Sequence, residues 1–292
     1  MIYTVGLASE STIAHFTDAA EARGVHVENV DLSEVVRQDD WRLAIGGSRP
    51  ARLGEHTLDP EGSYYCRISD LSSLAEDREQ ALRWRWLTTA LTAWLDQIPG
   101  LVVNRPSIRS DNGSKPLHER SLAGDGFRVP PAITGSSPER LQAFAEAGPT
   151  IVKAVSGVRA DSRLLRPGEL ADFDPWQGPI HLQRYVRGRD VRAHVVGDRV
   201  HAEEIRSGAA DYRTDPDAVF TPYELPGPLA EQVVRHTADL GMSLAGWDFK
   251  VADDGTHWCL EVNPMPAYDW YDRRLGGDIT ASLLALLQGR HP

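Results

Sequence analysis

The chain has 292 residues, of which 41% are hydrophobic and 25% are charged. This is the composition of a folded protein that is long enough for two or three compact units. Its 42 acidic and 31 basic side chains give a formal net charge of -11. Because nucleic-acid binding rests on clustered Lys and Arg, this charge argues against a nucleic-acid partner.

The two cysteines, Cys66 and Cys259, are far apart and form no CxxC spacing. This pattern argues against a disulfide framework and a thiolate zinc site, and it fits a reducing compartment. No stretch is apolar for long enough to span a bilayer, and the first residues lack the basic region of a signal peptide. We therefore expect a cytoplasmic protein without a membrane partner.

The first part of the chain predicts a small α/β layer. A strand at residues 2–7, a helix at 11–23 and a strand at 25–30 give a βαβ opening. Apolar strands at 43–45 and 101–103 flank a long helix at 77–95. We place the end of this N-terminal unit, residues 1–108, just before a polar stretch.

A second, smaller unit is predicted for residues 109–184. Its helices lie at 117–124 and from Ser137 onward, and a strand covers 150–153. The polar loop at 156–167 has the composition of a mobile lid.

The third predicted unit covers residues 185–292. It opens with a hairpin of strands 191–196 and 200–205 around Gly197-Asp198. A helix at 228–240, strands at 244–251 and 257–262, and a closing helix at 279–288 follow it.

Two stretches of this third unit carry the most chemical information, namely Gly-Trp-Asp-Phe-Lys at 246–250 and Cys-Leu-Glu-Val-Asn-Pro at 259–264. Because side chains alternate along a strand, Glu261 and Asn263 project from one face, and Asp248 on an antiparallel neighbour completes a set of three oxygen ligands. Such a set suits Mg2+, which accepts one or two carboxylates and takes its other ligands from water and phosphates. On the residues alone, a solvated hairpin end explains the pattern equally well.

The ordered set of motifs over roughly residues 100–290 resembles the ATP-grasp superfamily. The aspartate strand and the Glu-x-Asn-Pro strand are similar to its metal-binding signature, and Asn104-Arg105-Pro106 is similar to part of its first half. The chain is most similar to the branch with glutathione synthetase and the ribosomal glutamate ligases. Residues 190–213 also resemble the ligases that crosslink microviridin-type peptides, the graspetides. The resemblance implies an α/β (α+β) protein with the ATP-grasp fold, in which an N-terminal α/β domain precedes two α+β subdomains that hold ATP between them.

The resemblance also implies a nucleotide site. Lys115 and Lys153 would hold the phosphates of ATP, and Asp190 would hold the ribose hydroxyls. The adenine would be received by main-chain groups of a hinge strand that comprises Gln183, Arg184, Tyr185 and Val186.

The reacting groups follow from the same resemblance. Asp248, Glu261 and Asn263 would bind Mg2+, for which Mn2+ is a substitute. Three arginines, Arg192, Arg206 and Arg213, match basic positions that face phosphate or the reacting acyl group. For each arginine alone, a surface ion pair is an equally good explanation.

These residues favour an ATP-dependent ligase that joins a small-molecule or peptide carboxylate to an amine through an acyl phosphate. One alternative is a graspetide-type macrocyclase that forms ester or amide crosslinks in a precursor peptide. Another is an idle nucleotide-binding module that senses or scaffolds, although the phosphate lysines and all three metal-ligand positions are retained. The resemblance also allows a homodimer.

Overall fold

The structure of the chain is a computed structural model. It describes residues 1–44, 46, 49–108, 113–155, 162–166, 168–171, 173–209, 212 and 215–290. Among the helices of these described ranges, none combines the length and the apolar character needed to cross a membrane.

The N-terminal part is built on a parallel sheet of four strands in the order β2-β1-β6-β7. Its elements are β1 (Ile2–Gly6), α1 (Ser11–Ala22), β2 (Val27–Asp31), α2 (Leu32–Gln38), β6 (Ser63–Cys66), α3 (Arg78–Leu95) and β7 (Val102–Val103). All five residues of β1 are buried, because a parallel sheet is covered on both faces. The predicted βαβ opening is confirmed.

A separate sheet of three short antiparallel strands accompanies this layer, formed by β3 (Trp41–Arg42), β4 (Ala51–Leu53) and β5 (His56–Leu58). The predicted strand at 43–45 is wrong at Leu43 and Ala44, which follow β3 outside any strand, and its last residue lies outside the described ranges. Short apolar runs give no periodicity that could fix the ends of a strand.

The middle of the chain forms an antiparallel sheet in the order β10-β9-β11-β8 with two helices. Its elements are α4 (Lys115–Gly124), β8 (Ala132–Gly135), α5 (Pro138–Glu146), β9 (Thr150–Lys153), β10 (Arg163–Leu164) and β11 (Ile180–Arg184). Leu141 of α5 and Leu182 of β11 are fully buried in the small core of this part. Residues 156–161 and 167 of the predicted lid loop lie outside the described ranges.

The C-terminal part is a five-stranded antiparallel sheet in the order β14-β13-β12-β15-β16. Its elements are β12 (Arg189–Val196), β13 (Arg199–Arg206), β14 (Val219–Tyr223), α6 (Gly227–Asp239), β15 (Leu244–Val251), β16 (His257–Asn263), α7 (Asp269–Arg274) and α8 (Asp278–Leu287). The predicted hairpin is confirmed, with Gly197 in the left-handed conformation at φ 59°. One face of the sheet packs on α6, where Trp247 is fully buried and its indole N–H donates to Thr237 Oγ1 at 3.0 Å.

The N-terminal and C-terminal parts share a hydrophobic core. Ile13 and Phe16 of α1 pack in one cluster with Val196 of β12 and Leu283 of α8. Because this core joins the two ends of the chain, the division into units 1–108, 109–184 and 185–292 stays a prediction.

Asn104 fastens this interface by four hydrogen bonds. Its side-chain Nδ2 donates to the carbonyls of Leu244 and Pro264, both at 2.6 Å. Its Oδ1 accepts from the amides of Ser243, at 2.8 Å, and Leu244, at 3.1 Å. One side chain after β7 thus joins the start of β15 to the residue that follows β16.

We predict that Asn104→Ala lowers the free energy of unfolding by about 2 to 4 kcal/mol, because it leaves several partly buried main-chain groups without partners. The measurement is urea unfolding followed by circular dichroism. Asn29→Ala is the matched control, since the Asn29 side chain accepts only from Thr4 Oγ1 among the described residues, and it should cost about 1 kcal/mol. Equal losses in the two variants would contradict the fastening role of Asn104.

Candidate active site between two sheets

The register of β15 and β16 places the predicted metal ligands together. Asp248 lies opposite Glu261, and Asn263 lies opposite Gly246. The register shifts after Asp248, which marks a bulge, a feature that often re-aims side chains near active sites. The side chains of Asp248 and Glu261 keep 30% and 31% of their surface exposed, so both remain accessible to a ligand.

Each of these carboxylates is paired with a basic side chain from another element. Lys115 Nζ, at the start of α4, lies 2.8 Å from Glu261 Oε2. Arg192 Nη1, on β12, lies 2.7 Å from Asp248 Oδ2. Burial alone would raise the pKa of Glu261, but the charge and hydrogen bond of Lys115 outweigh it and the pKa is lowered. Each carboxylate of the pair therefore has a cation from another element beside it.

Lys153 lies close to the same group. Burial lowers the pKa of the Lys153 ammonium, and the neighbouring charge of Lys115 lowers it further, while Glu119 and Glu261 act in the opposite direction. The structure therefore brings together Lys153 and Lys115, the two lysines predicted to hold phosphates. Two ammonium groups beside paired carboxylates form a site suited to an anionic ligand that arrives with a cation.

Arg192 is buried, with 7% of its surface exposed. Burial, the largest effect, opposes the charged form, but Asp248, Tyr271 and Tyr212 together outweigh burial and raise the pKa of the guanidinium. Its Nε donates to His194 Nε2 at 3.3 Å. Burial lowers the pKa of His194 well below its ordinary value, so this imidazole is neutral and can accept. Arg192 is thus held as a fixed positive charge beside Asp248.

Gly246 provides the space for this guanidinium. A Cβ on Gly246 would lie 2.2 Å from Arg192 Nη2 and 2.8 Å from Pro266 Cβ. Both distances are much shorter than van der Waals contacts of carbon atoms. Only glycine therefore fits at position 246 while the Arg192 side chain lies across it.

The oxygen atoms of this site fit Mg2+. Arg192 and Lys115 occupy Asp248 Oδ2 and Glu261 Oε2, while the second oxygen of each carboxylate has no hydrogen-bond partner among the described residues. Asn263 Oδ1 accepts from the Met265 amide at 2.9 Å, and an amide oxygen has a second lone pair. No group of three or more Asp, Glu, His or Cys side chains in metal-binding geometry occurs in the described part of the chain. Two carboxylates and one amide are the ligand number that Mg2+ accepts when phosphates and water complete its shell.

The predicted hinge residues lie at the end of β11, and two of their side chains have structural partners. Gln183 Nε2 donates to Glu119 Oε1 at 2.6 Å. The Arg184 guanidinium donates to the Phe144 carbonyl at 2.9 Å and lies over the Phe144 ring. These side chains fasten β11 to α4 and α5. Because these side chains already have partners, a nucleotide at the hinge would contact main-chain groups.

Some main-chain groups of the hinge are already hydrogen-bonded, which limits the positions at which a nucleotide could bind. The amides of Arg184 and Tyr185 donate to the Pro131 and Pro149 carbonyls at 2.8 and 2.9 Å. Val186 follows the strand, and its main-chain groups have no hydrogen bond to any described residue. Val186 is therefore the hinge position with main-chain groups open to a ligand.

Asp190 lies on the same sheet face as Arg192 and Asp248. Its Oδ2 accepts from Lys250 Nζ at 2.7 Å, and both side chains are largely buried. The ribose-binding role of Asp190 stays a prediction.

Of the two other predicted arginines, only Arg206 lies in the described part of the chain. Arg206 is 70% exposed and its Nε donates to Glu204 Oε1 at 2.7 Å. Glu203 lies opposite Arg192 in the sheet, so Arg206, three residues later, projects from the other face. The structure thus does not place Arg206 beside Asp248. Arg213 lies outside the described residues.

Several residues of the site carry no signal in the sequence. Glu119 accepts from both Gln183 and His181, whose Nε2 lies 3.0 Å away. The only sequence hint is that Glu119 lies one helical turn after Lys115. His118 and His181 are both buried and each makes a specific hydrogen bond.

A cluster of aromatic side chains, here called the aromatic wall, lies beside Arg192 and consists of Tyr212, Phe220 and Tyr271. Tyr271 and Tyr212 share a hydrogen bond between their hydroxyls at 2.7 Å, and burial raises the pKa of both phenols. Arg274 stacks on Phe220 and its Nη2 lies 2.7 Å from Glu203 Oε2. Because α7 brings this wall to the sheet from a distant part of the sequence, no local pattern could predict it.

A small antiparallel sheet and a larger one, joined by a helix and holding lysines, a buried arginine and oxygen ligands between them, form the arrangement of the ATP-grasp ligases. The comparisons with solved structures confirm this fold. PsnB, an ATP-grasp ligase complexed with a minimal precursor, is 25% identical, with a TM-score of 0.80 over 97% of this chain and 98% of that one. A RiPP-associated ATP-grasp ligase from Chryseobacterium gregarium is 18% identical, with a TM-score of 0.82 over 100% and 97% of the two chains.

Curated relatives carry the same resemblance at the level of sequence. The "Probable alpha-L-glutamate ligase" of Pectobacterium carotovorum is 28% identical over 182 residues, which are 57% of this chain and 60% of that protein. The chain thus spans about 60% of the length of the first curated relatives that it matches. No model of a known protein family matches the chain. The predicted resemblance to ATP-grasp ligases is confirmed, and with it the predicted fold.

We predict that Gly246→Ala costs about 1 to 3 kcal/mol of stability, because the added methyl group overlaps Arg192 and Pro266. Gly135→Ala is the control, since Gly135 also lies in a strand and a Cβ there meets no atom within 4 Å. Thermal unfolding of both variants is the measurement. If Gly246→Ala were as stable as Gly135→Ala, Arg192 would have another position available.

Proposed function

We propose that the protein is an ATP-dependent ligase that joins a carboxylate to an amine through an acyl phosphate. The observation that carries this proposal is the convergence of Lys115, Lys153 and Arg192 on the facing carboxylates Asp248 and Glu261. Phosphoryl transfer depends on positioning and on compensation of negative charge. This site supplies both, from three separate segments of the chain.

In the proposed reaction, Lys115 and Lys153 hold phosphate oxygens of ATP as point charges. Asp248, Glu261 and Asn263 would hold Mg2+, which when bound neutralises charge on the phosphates. A carboxylate oxygen of the substrate attacks the γ-phosphorus, the bond from phosphorus to the bridging oxygen breaks, and ADP leaves. The hinge main chain at Val186 and the Asp190 carboxylate orient the nucleoside.

Arg192 acts in the second step. A neutral amine attacks the acyl carbon, the carbonyl oxygen gains negative charge, and the guanidinium stabilises that oxyanion. The carbon–oxygen bond then breaks, inorganic phosphate leaves, and the amine loses a proton. Because Asp248 and His194 fix the guanidinium in place, its stabilising effect requires no reorganisation during the reaction.

A second candidate is a ligase that acts on a precursor peptide and forms ester or amide crosslinks. The observation that favours it is coverage. PsnB, which was solved with a minimal precursor, matches this chain over 97% of its length with a TM-score of 0.80. PsnB has also been solved with Mg and ADP. A peptide substrate is the expected difference between the two candidates.

We predict opposite effects of Lys153→Met on stability and on nucleotide binding. Because burial lowers the pKa of Lys153, the charged form destabilises the folded state, so the variant should melt higher without nucleotide. The penalty is complete below the folded pKa and disappears as pH rises towards the ordinary value of about 10.5. The gain from the substitution should therefore shrink as the pH rises towards about 10.5.

The same melting experiments test the nucleotide site. Magnesium-ADP at about a hundred times its Kd should stabilise the wild type by roughly 2.7 kcal/mol, and Lys153→Met by much less. Lys250→Met is the control for the stability effect alone, since it removes the ion pair with Asp190 and should destabilise the protein without nucleotide by roughly 3 kcal/mol. An unchanged melting temperature of the wild type with millimolar magnesium-ADP would contradict the proposed nucleotide site.

The acyl phosphate is tested with an oxygen-18 label in the carboxylate substrate. One labelled oxygen should appear in the released phosphate, because the carboxylate oxygen that attacked phosphorus leaves with it. Substrates come from a matrix of carboxylates and amines, with a precursor peptide as a separate arm, and the assay combines ADP release with product mass. Glu261→Gln, which removes the negative charge of a ligand carboxylate, is the control that should abolish turnover. Label in AMP, or none in phosphate, would exclude this mechanism.

A further inference from the structure

β16 carries two of the proposed metal ligands and is an edge strand of its sheet. Glu261 and Asn263 lie on either side of Val262, whose side chain points the other way into the hydrophobic core. An edge strand has main-chain groups that no neighbouring strand pairs. The position of these ligands therefore depends on what holds the outer side of β16.

His118 holds that outer side. Its Nε2 accepts from the amide of Val262 at 3.1 Å, and 1% of the surface of each residue is exposed. Water cannot replace the imidazole as a partner at this depth. The Val262 amide belongs to the peptide group that joins Glu261 to Val262, so this hydrogen bond fixes the backbone next to Glu261 directly and the backbone next to Asn263 through the single residue Val262.

Two further contacts bracket the same three residues. Lys115, one turn before His118 on α4, binds Glu261 itself. Beyond Asn263, the Asn104 side chain donates to the Pro264 carbonyl at 2.6 Å. The segment Glu261–Asn263 is thus held from α4 at its centre and from the N-terminal part at its end.

We propose that His118 is a positioning residue for the metal site: it fixes the peptide group that joins Glu261 to Val262 and is not itself a ligand, because the nitrogen that faces β16 accepts a hydrogen bond. This inference rests on the proposed function, which makes Glu261 and Asn263 metal ligands. Partners that orient metal ligands typically contribute about 10- to 100-fold to metal affinity. Loss of the acceptor should therefore weaken the metal site while the ligands remain present.

The test measures Mn2+ binding in the presence of ADP by electron paramagnetic resonance. His118→Phe, which has no acceptor, should weaken Mn2+ binding by about 10-fold or more. His118→Gln places an amide oxygen at the position of Nε2 and should restore binding to within about 3-fold, whereas His118→Asn is too short and should behave like the phenylalanine variant. If His118→Phe does not fold, the comparison of Asn with Gln decides. ADP binding without metal should be the same in all variants.

Amide hydrogen exchange supplies a second readout that needs no ligand. The Val262 amide should exchange faster in His118→Phe and His118→Asn, and at the wild-type rate in His118→Gln. The matched control is His257→Phe, at the far end of the same strand, where the imidazole bonds to the Tyr223 hydroxyl at 2.8 Å. That variant should leave Mn2+ affinity and Val262 exchange unchanged.

The outcomes separate the two proposals. Wild-type protein that binds no Mn2+ in the presence of ADP would reject the proposed function and the metal role of His118 together. Wild-type protein that binds Mn2+, with equal affinity in the Phe, Asn and Gln variants, would overturn the positioning role alone. A loss of affinity as large in His257→Phe as in His118→Phe would overturn it as well, because a general weakening of β16 would then explain the effect.

Discussion

Asp248 and Glu261 lie directly opposite each other on neighbouring strands, and the rest of the site depends on compensating these two like charges. Like charges across a strand pair are destabilising, so each carboxylate needs a cation within reach. Arg192 comes from the adjacent strand β12, and Lys115 comes from the first turn of α4. The acidic pair therefore contacts both α4 and β12, which are separated by about seventy residues along the chain.

Helix α4 connects the two sheets, because its side chains contact strands of both. Lys115 and His118 contact β16 of the large sheet, while Glu119 accepts from Gln183 of the small sheet. A change in the angle between the sheets would have to break one of these contacts or move α4 with it. The helix is thus the element through which ligand binding at β16 and movement of the small sheet would be coupled.

The local elements and the composition of the site could be predicted because they rest on short-range rules. Strand alternation placed Glu261 and Asn263 on one face, and Gly197-Asp198 marked the hairpin. Arg206 shows the limit of the same rules. A basic residue near the site in sequence matched a family position, yet its place in β13 turns it to the other face of the sheet.

By itself, the sequence determined the ATP-grasp fold and the presence of two carboxylates and an amide on two adjacent strands, together with the two lysines, because these lie in ordered motifs along the chain. Only the tertiary structure decided that Arg192 is buried against Asp248, that Gly246 makes room for it and that His118 holds the Val262 amide. The physical reason is that each of these contacts joins segments distant in sequence. A buried hydrogen bond or a close approach depends on where the backbones lie, and no local periodicity encodes that distance.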